Sequence, residues 1–517
     1  MQAVKRIIRA HEYDFLAPVV LAAFAPFASF AAENVGEELS IASLLMYAAG
    51  AAIVGITLTL PFAPFGRRVR IRAGFAVSVL VFIFFSFPII QYVTGANGKL
   101  LYLIAGGFTG ISCLSAWLLS TRTLARRVWL TILLTLTIIP TATYVVRWLR
   151  LDSASHLNYE RSRWHDANPA ISATFLPNIY YLTLDGYPRA DSLREFFDFD
   201  NSDFIDFLKA NQFLVTEKSY ANYMATYLSV SAALEQSFVV SENESDFWNK
   251  ILWFKDILRG NNRVFQRLHK LGYFIAKLDF FDECMKSPYV DYCYGSDKQQ
   301  MRINLRLTEL EFTLLRLTPI YDLVTKRYAR LFQRHLVVKD IEHAMDMVKY
   351  LNAPDPKLFF SHVLLPHLPY RFAADCSPSN EIDATRLGDT PHAKVLFLTQ
   401  THCANKKAKE FVSFVVQTDP HAIILLNSDH GSPFVNWSLP YDKWPDSAVR
   451  ERFGILNAMR LPPGCRPLYY DGISPVNFFE LVFACIEHRY PHFVEDRIYI
   501  STFDKTHKQY GQVWRYR

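Results

Sequence analysis

The sequence predicts a two-part membrane protein: an N-terminal transmembrane domain of five helices, then an α/β domain with a central, mostly parallel sheet. Three observations lead there. Five apolar runs, each about 18 to 25 residues and so long enough to cross a hydrocarbon core, crowd into the first 150 positions. Lys and Arg cluster in alternate loops between these runs. Beyond position 176, near-continuous apolar strands alternate with helical periodicity and end in polar residues. A chain of 517 residues, 51% of them apolar, is also longer than one compact domain usually is. The boundaries follow as 1–150 for the transmembrane domain, 151–176 for a polar, irregular juxtamembrane linker, and 177–517 for an extracytoplasmic domain.

The apolar runs are Phe15 to Ala32, Ile41 to Phe65, Ala73 to Val93, Leu100 to Leu119 and Val128 to Val146. Lys5, Arg6 and Arg9 precede the first; Arg67, Arg68, Arg70 and Arg72 follow the second; Arg122, Arg126 and Arg127 follow the fourth. Basic residues beside a span are retained in the cytoplasm, so these loops are inside and the acidic Glu33 to Glu38 loop is outside. Five spans that start inside deliver the rest of the chain to the outer side of the membrane. If the first run were a cleaved signal sequence, four spans starting outside would end there too. The net charge of +6 is spent largely on this topology. No nucleic-acid motif accompanies it, which excludes a nucleic-acid partner.

Cys113 lies in the fourth run, and six cysteines follow it. In an oxidising compartment Cys284 with Cys293, and Cys376 with Cys403, form attractive pairs, with buried free thiols as the alternative.

The soluble part opens with Ile179 to Leu184, a strand-forming run ending in Asp185-Gly186. Ala422 to Leu426 ends in Ser428-Asp429-His430-Gly431, and Lys357 to Val363 leads to Pro366-His367-Leu368-Pro369-Tyr370. Helical periodicity in Arg263 to Leu278 and Lys407 to Val416 supplies crossovers. The segment from Glu235 to His343 reads as a mostly helical packed insertion; within it, Tyr321 to His335 could instead rest on the membrane. Ligands of open α/β sheets gather at the carboxyl ends of the strands, where these polar residues fall.

Asp185, Asp429 and His430 are ligand types suited to zinc or manganese. Gly431 permits the sharp turn that two adjacent ligands need. The run Asn222 to Ser231 looks like a loop entering a helix, with Thr226 at the start. A Thr there is usually a helix cap. The same position offers the positive end of a helix dipole to a phosphoryl group, and a metal on its Oγ would make the hydroxyl a useful nucleophile.

With LDGYPRAD at 184–191, NYMATYLSVS at 222–231, PHLPY at 366–370 and NSDHG at 427–431, the chain resembles the alkaline phosphatase and sulfatase superfamily. It is most similar to the membrane-anchored branch, the lipoteichoic acid synthases and lipid A phosphoethanolamine transferases. RFGILNAMRLP at 452–462 and SPVNFF at 474–479 also look like that branch. The resemblance implies an alkaline-phosphatase-like fold and one divalent metal, Mn or Zn, with Mg as the alternative, held by Asp185, Thr226, Asp429 and His430. It implies Thr226 as the nucleophile and His367 as the acid that protonates the leaving alcohol. Asn222, His362 and Tyr370 are substrate-binding candidates, His362 being read rather as a packed strand histidine than as a residue beside the ligands.

The resemblance further implies transfer of a phosphoglycerol or phosphoethanolamine head group from a membrane phospholipid to an envelope glycan or lipid, through a phosphothreonine. A phosphodiesterase or phosphatase using water, and an inactive scaffold, are the competing readings. Departures matter. Asp442 falls in the region where the phosphoethanolamine transferases carry a second His, and Asp185 replaces their Glu. Sulfatases need a Cys or Ser in a C/S-x-P-x-R signature; Thr226-Tyr227-Leu228-Ser229-Val230 stands here, which disfavours sulfate ester hydrolysis.

Overall fold

The computed structural model describes residues 15–35, 41–96, 98–162, 176–242, 247–278, 287–294, 309–321, 338–368, 370, 372–377, 379, 390–436, 439–501 and 511–516. The chain forms two compact units. One comprises Met1–Ala154 with Leu305–Tyr328, the other Ser155–Asn304 with Ala329–Arg517.

In the first unit the apolar runs are helical, because a backbone without water must satisfy its own polar groups. They form α1 (Ala17–Glu33), α2 (Ile41–Thr59), α3 (Arg67–Phe85), α4 (Phe87–Thr94), α5 (Gly98–Leu119) and α6 (Thr123–Ser162). Three helical stretches are long and apolar enough to cross a membrane: Ile41–Phe62, Gly98–Leu119 and Thr123–Leu149. α3 and α4 make a fourth if taken as one span bent by 65°, the break falling where Pro88 enters the first turn of α4. α1, at 17 residues, is a shorter apolar helix. Val19, Ala22 and Ala23 of α1 meet Ala52 of α2, Val77 and Val81 of α3, and Leu133 of α6. Small side chains let these helices approach closely. Leu45, Ile53, Val54, Leu103, Ile111 and Ile138 point away from the other helices, the apolar exterior that lipid requires.

Two expectations need correction here. α6 runs on to Ser162, so the first part of the stretch expected to be irregular is helical: its polar side chains do not break a helix lacking Gly or Pro after Pro140. The middle of the supposed helical insertion also belongs with the membrane helices. Leu314, in the helix Glu309–Arg316, packs with Phe27, Ala31, Leu44 and Ala48, and Tyr47 donates to Glu311. Tyr102 donates to the carbonyl of Pro319 at 2.9 Å. Of the amphipathic stretch Tyr321 to His335, all but Tyr321 lies outside the described residues.

The second unit is built on a seven-stranded sheet ordered β2-β7-β6-β1-β5-β3-β4. Its strands are β1 (Ile179–Leu184), β2 (Leu214–Val215), β3 (Phe274–Leu278), β4 (Tyr292–Tyr294), β5 (Lys357–Val363), β6 (Ile423–Asn427) and β7 (Asn457–Arg460). β6, β1, β5, β3 and β4 are parallel neighbours; β7 is antiparallel to both β6 and β2. Alternation along β1 sorts its side chains onto two buried faces. Tyr180, Leu182 and Leu184 join a core with Phe397, Phe411 and Val415 of the long helix Pro391–Thr418. Tyr181 meets Phe360 and Phe479 on the other face. Each such aromatic contributes about 1.5–3 kcal/mol of burial. A small hairpin of β8 (Ile498–Ser501) and β9 (Val513–Tyr516) completes the unit.

The expected helix from Arg263 to Leu278 ends at Lys270. Gly272, with φ +86°, turns the chain and Phe274–Leu278 becomes strand β3 beside β5. Cys376 is disulfide-bonded to Cys403. Cys465 and Cys485 form a bridge that the sequence pairing did not propose. Cys293 is disulfide-bonded; Cys284 lies outside the described residues.

Candidate metal centre and nucleophile

Parallel register assembles the site. Thr183 of β1 is level with His362 of β5 and Asn427 of β6, so Asp185, His362 and the Asp429-His430 pair emerge side by side at the carboxyl ends of three adjacent strands. The Asp185 amide donates to the Val363 carbonyl at 2.9 Å, and the His367 amide donates to the Asp185 carbonyl at 3.1 Å. Gly186 then turns with φ +71°; a Cβ there would stand 3.5 Å from His430.

Two triads share Asp185. Asp185, His362 and Asp429 form one, Asp185, His367 and His430 the other, with ligand atoms in each within 4.8 Å of one another. His430 Nε2 is 3.5 Å from Asp185 Oδ1 and 3.5 Å from Asp429 Oδ2. His362 Nε2 is 3.5 Å from Asp185 Oδ2 and 3.7 Å from Asp429 Oδ2. Thr226 Oγ1 lies 3.5 Å from His430 Nε2. The helix Thr226–Glu235 has Ala225 as its N-cap, so Thr226 is the first helical residue. Its hydroxyl therefore points to the cluster and does not cap the helix, contrary to the usual role of a Thr at such a start.

These residues fit a divalent cation. The His430 Nδ1 sits 3.0 Å from the Gly431 carbonyl, which can only accept, so Nδ1 carries the proton and Nε2 a lone pair. That lone pair faces Asp185 Oδ1 and Asp429 Oδ2, a repulsive arrangement unless a cation lies among them. Among the described residues Asp185 Oδ1 and Asp429 Oδ2 are buried without a hydrogen bond, whereas Asp429 Oδ1 is satisfied by the amides of Gly186 and His430 at 3.1 and 3.0 Å. Tetrahedral zinc with bonds of about 2.0–2.1 Å sets its ligand atoms about 3.3–3.4 Å apart, close to the 3.5 Å found here.

Electrostatics agree with that reading. Burial, then the charge of Asp429, pushes the Asp185 carboxyl up. Burial and the charge of Arg452 push His430 down to about 3, which keeps the imidazole neutral and able to ligate.

The remaining candidates separate. His367 Nδ1 is 2.6 Å from the Leu368 carbonyl, leaving Nε2 for a ligand or a proton; Gln400 holds its loop by donating to the carbonyls of Pro366 and His367 at 3.1 and 2.7 Å. Asn222 is not at the cluster. Its amide donates to Ser474 Oγ and the Arg497 carbonyl, both at 3.0 Å, and accepts from Val476 at 2.9 Å. Tyr370 is buried against Phe397. Asp442 is half exposed. The apolar setting of β5 made His362 read as packed; its level with the β1 terminus was the signal that strand pairing would have supplied. Gly431 is needed for closeness: a Cβ would meet the Glu451 carbonyl at 2.2 Å.

No family model and no curated protein matches the chain. Solved structures do. The integral membrane lipooligosaccharide phosphoethanolamine transferase A from Neisseria meningitidis is 12% identical, covering 92% of this chain and 95% of its own, with a TM-score of 0.39. The chain is similar to membrane phosphoethanolamine transferases. The C-terminal periplasmic domain of EptC from Escherichia coli, in complex with Zn, is 14% identical over 67% of this chain and 94% of its own, with a TM-score of 0.39. Phosphonate monoester hydrolase of Agrobacterium radiobacter is 11% identical over 64% and 82%, again with a TM-score of 0.39. Likenesses at these identities concern the fold.

Proposed function

We propose that this chain is a metal-dependent phosphotransferase of a bacterial inner membrane, anchored by five spans with its α/β unit outside. It moves a phospholipid-derived head group, phosphoglycerol or phosphoethanolamine, to an envelope glycan or lipid. One observation carries the reading: the half-buried Thr226 residue opens a helix with its hydroxyl 3.5 Å from His430 Nε2, the atom that lies 3.5 Å from Asp185 Oδ1 and from Asp429 Oδ2.

Asp185, Asp429, His430 and Thr226 would hold the ion, zinc or manganese, with His362 beside the two carboxylates. Bound there, a divalent ion lowers the pKa of the hydroxyl and draws charge from non-bridging phosphoryl oxygens. The helix N-terminus adds its dipole to both effects. Thr226 Oγ, its proton lost to solvent, bonds to phosphorus as the bond to the diacylglycerol oxygen breaks; His367 Nε2 gives that oxygen a proton. In the second step His367 takes the proton of the acceptor hydroxyl, whose oxygen bonds to phosphorus as the Thr226 bond breaks. A catalytic unit outside a membrane shares a surface with its lipid donor.

Intact-mass spectrometry of the full chain expressed in membranes, wild type against Thr226→Ala, tests this. A head-group adduct on Thr226 in the wild type alone is the expected result. Metal-loaded protein with neither adduct nor lipid turnover sinks the reading, and free head group without an acceptor-bound product turns it into a hydrolase.

A further inference from the structure

RFGILNAMRLP contributes more than a strand. Its first residue, Arg452, lies near the end of the helix Asp446–Phe453 and is 4% exposed. Its Nε donates to the Met224 carbonyl at 3.0 Å, and Nη2 donates to the same oxygen. Nη1 donates to the carbonyls of Gly431 at 2.9 Å and Ser432 at 3.0 Å. Met224 stands two residues before Thr226, and Gly431 directly after His430.

We propose that Arg452 is a positioning residue that fixes the Thr226 hydroxyl against the Asp429–His430 pair. The inference rests on the reading of Thr226 as nucleophile. One planar fork spans two loops that are distant in sequence, and its donors are fixed relative to one another. The loop after His430 is held to the same helix by its backbone as well, the Gly431 amide donating to the Arg452 carbonyl at 2.6 Å and the Ser432 amide to the Glu451 carbonyl at 3.3 Å. The guanidinium thus ties the nucleophile loop to a segment already locked to the ligands. A lysine would keep the charge but could not reproduce the fork.

Arg452→Lys and Arg452→Gln in the full chain, purified in detergent with Zn²⁺, test this by turnover of bis(4-nitrophenyl) phosphate, thermal unfolding and intact mass. Arg452→Lys is expected to lower kcat about 10²-fold, the scale of a 1 Å misplacement, with KM and zinc affinity within about threefold and unfolding temperature little changed. Arg452→Gln, which retains two donors, is expected to fall at least as far. The proposal is overturned if Arg452→Lys keeps wild-type kcat, if kcat falls only in step with unfolding temperature, or if both variants fail to fold, which would make Arg452 a residue of the fold. Failure of the underlying reading shows differently: the wild type itself would carry no adduct on Thr226.

Discussion

The hydroxyl of Thr226 and Nε2 of His430 stand 3.5 Å apart although 204 residues separate them in the chain. One opens a helix and the other follows a central strand, so the sheet brings a weak nucleophile beside a neutral imidazole and two carboxylates. That relationship determines how each group should respond to substitution.

Removing the hydroxyl should cost chemistry far more than metal binding. Thr226→Ala is expected to lower turnover by at least about 10³-fold, as loss of a nucleophile does, while zinc-dependent thermal stabilisation, still supported by Asp185, Asp429 and His430, is weakened but not abolished. Thr226→Ser, which keeps Oγ, should retain the intact-mass adduct. Turnover by the alanine variant equal to that of serine would exclude attack by Thr226.

Metal should stabilise the fold measurably. An ion present at 100 times its dissociation constant contributes about 2.7 kcal/mol to the state that binds it. Thermal unfolding of the full chain with Zn²⁺ and then with a chelator should show that gain, and Asp429→Asn should abolish it. An unchanged transition in the wild type would argue against the site.

His362 faces both carboxylates, at 3.5 and 3.7 Å. Groups that orient metal ligands typically contribute 10–100-fold in affinity. Zinc titration of His362→Ala should therefore show weakening of about that size, with the variant still folded; unaltered affinity would return His362 to a packing role.

Glu235, which ends the Thr226 helix, titrates in an unusual range. Burial pushes its carboxyl up to about 7 despite the charge of Arg263, whose Nε lies 3.2 Å from Oε2. The folded value lies above the ordinary one of 4.5, so the neutral form is favoured by folding. Its contribution is full below about 4.5 and is lost as pH rises through about 7, an effect on the order of 3 kcal/mol. Denaturant unfolding between pH 4.5 and 8 should show the wild type losing stability relative to Glu235→Gln. Parallel pH profiles would refute the assignment.

Much of this molecule was legible without coordinates because its signals are local. An apolar run must be helical in lipid, and continuous β-branched and aromatic strands ending in Asp or His read as a parallel sheet with its ligands at one end. β3 was hidden because Phe274–Leu278 continues the apolar periodicity of the helix before it, and only Gly272 marks the change. Arg452 carried no local sign of importance, since its partners are backbone carbonyls. The Cys465–Cys485 bridge was equally silent, connectivity being a property of three-dimensional distance.

The sequence by itself determined the membrane character, the α/β class and the residue types that can bind a cation and attack phosphorus. These follow from hydrophobic length, strand periodicity and side-chain chemistry, each a property of neighbouring residues. Only the tertiary structure decided that Thr226 is the first helical residue and not its cap, that His362 faces the carboxylates, that Asn222 bonds to Ser474, Arg497 and Val476, and that Tyr370 packs against Phe397. Which oxygen or nitrogen faces which is fixed by strand register and loop closure, and those are set by contacts between parts of the chain that no local pattern encodes.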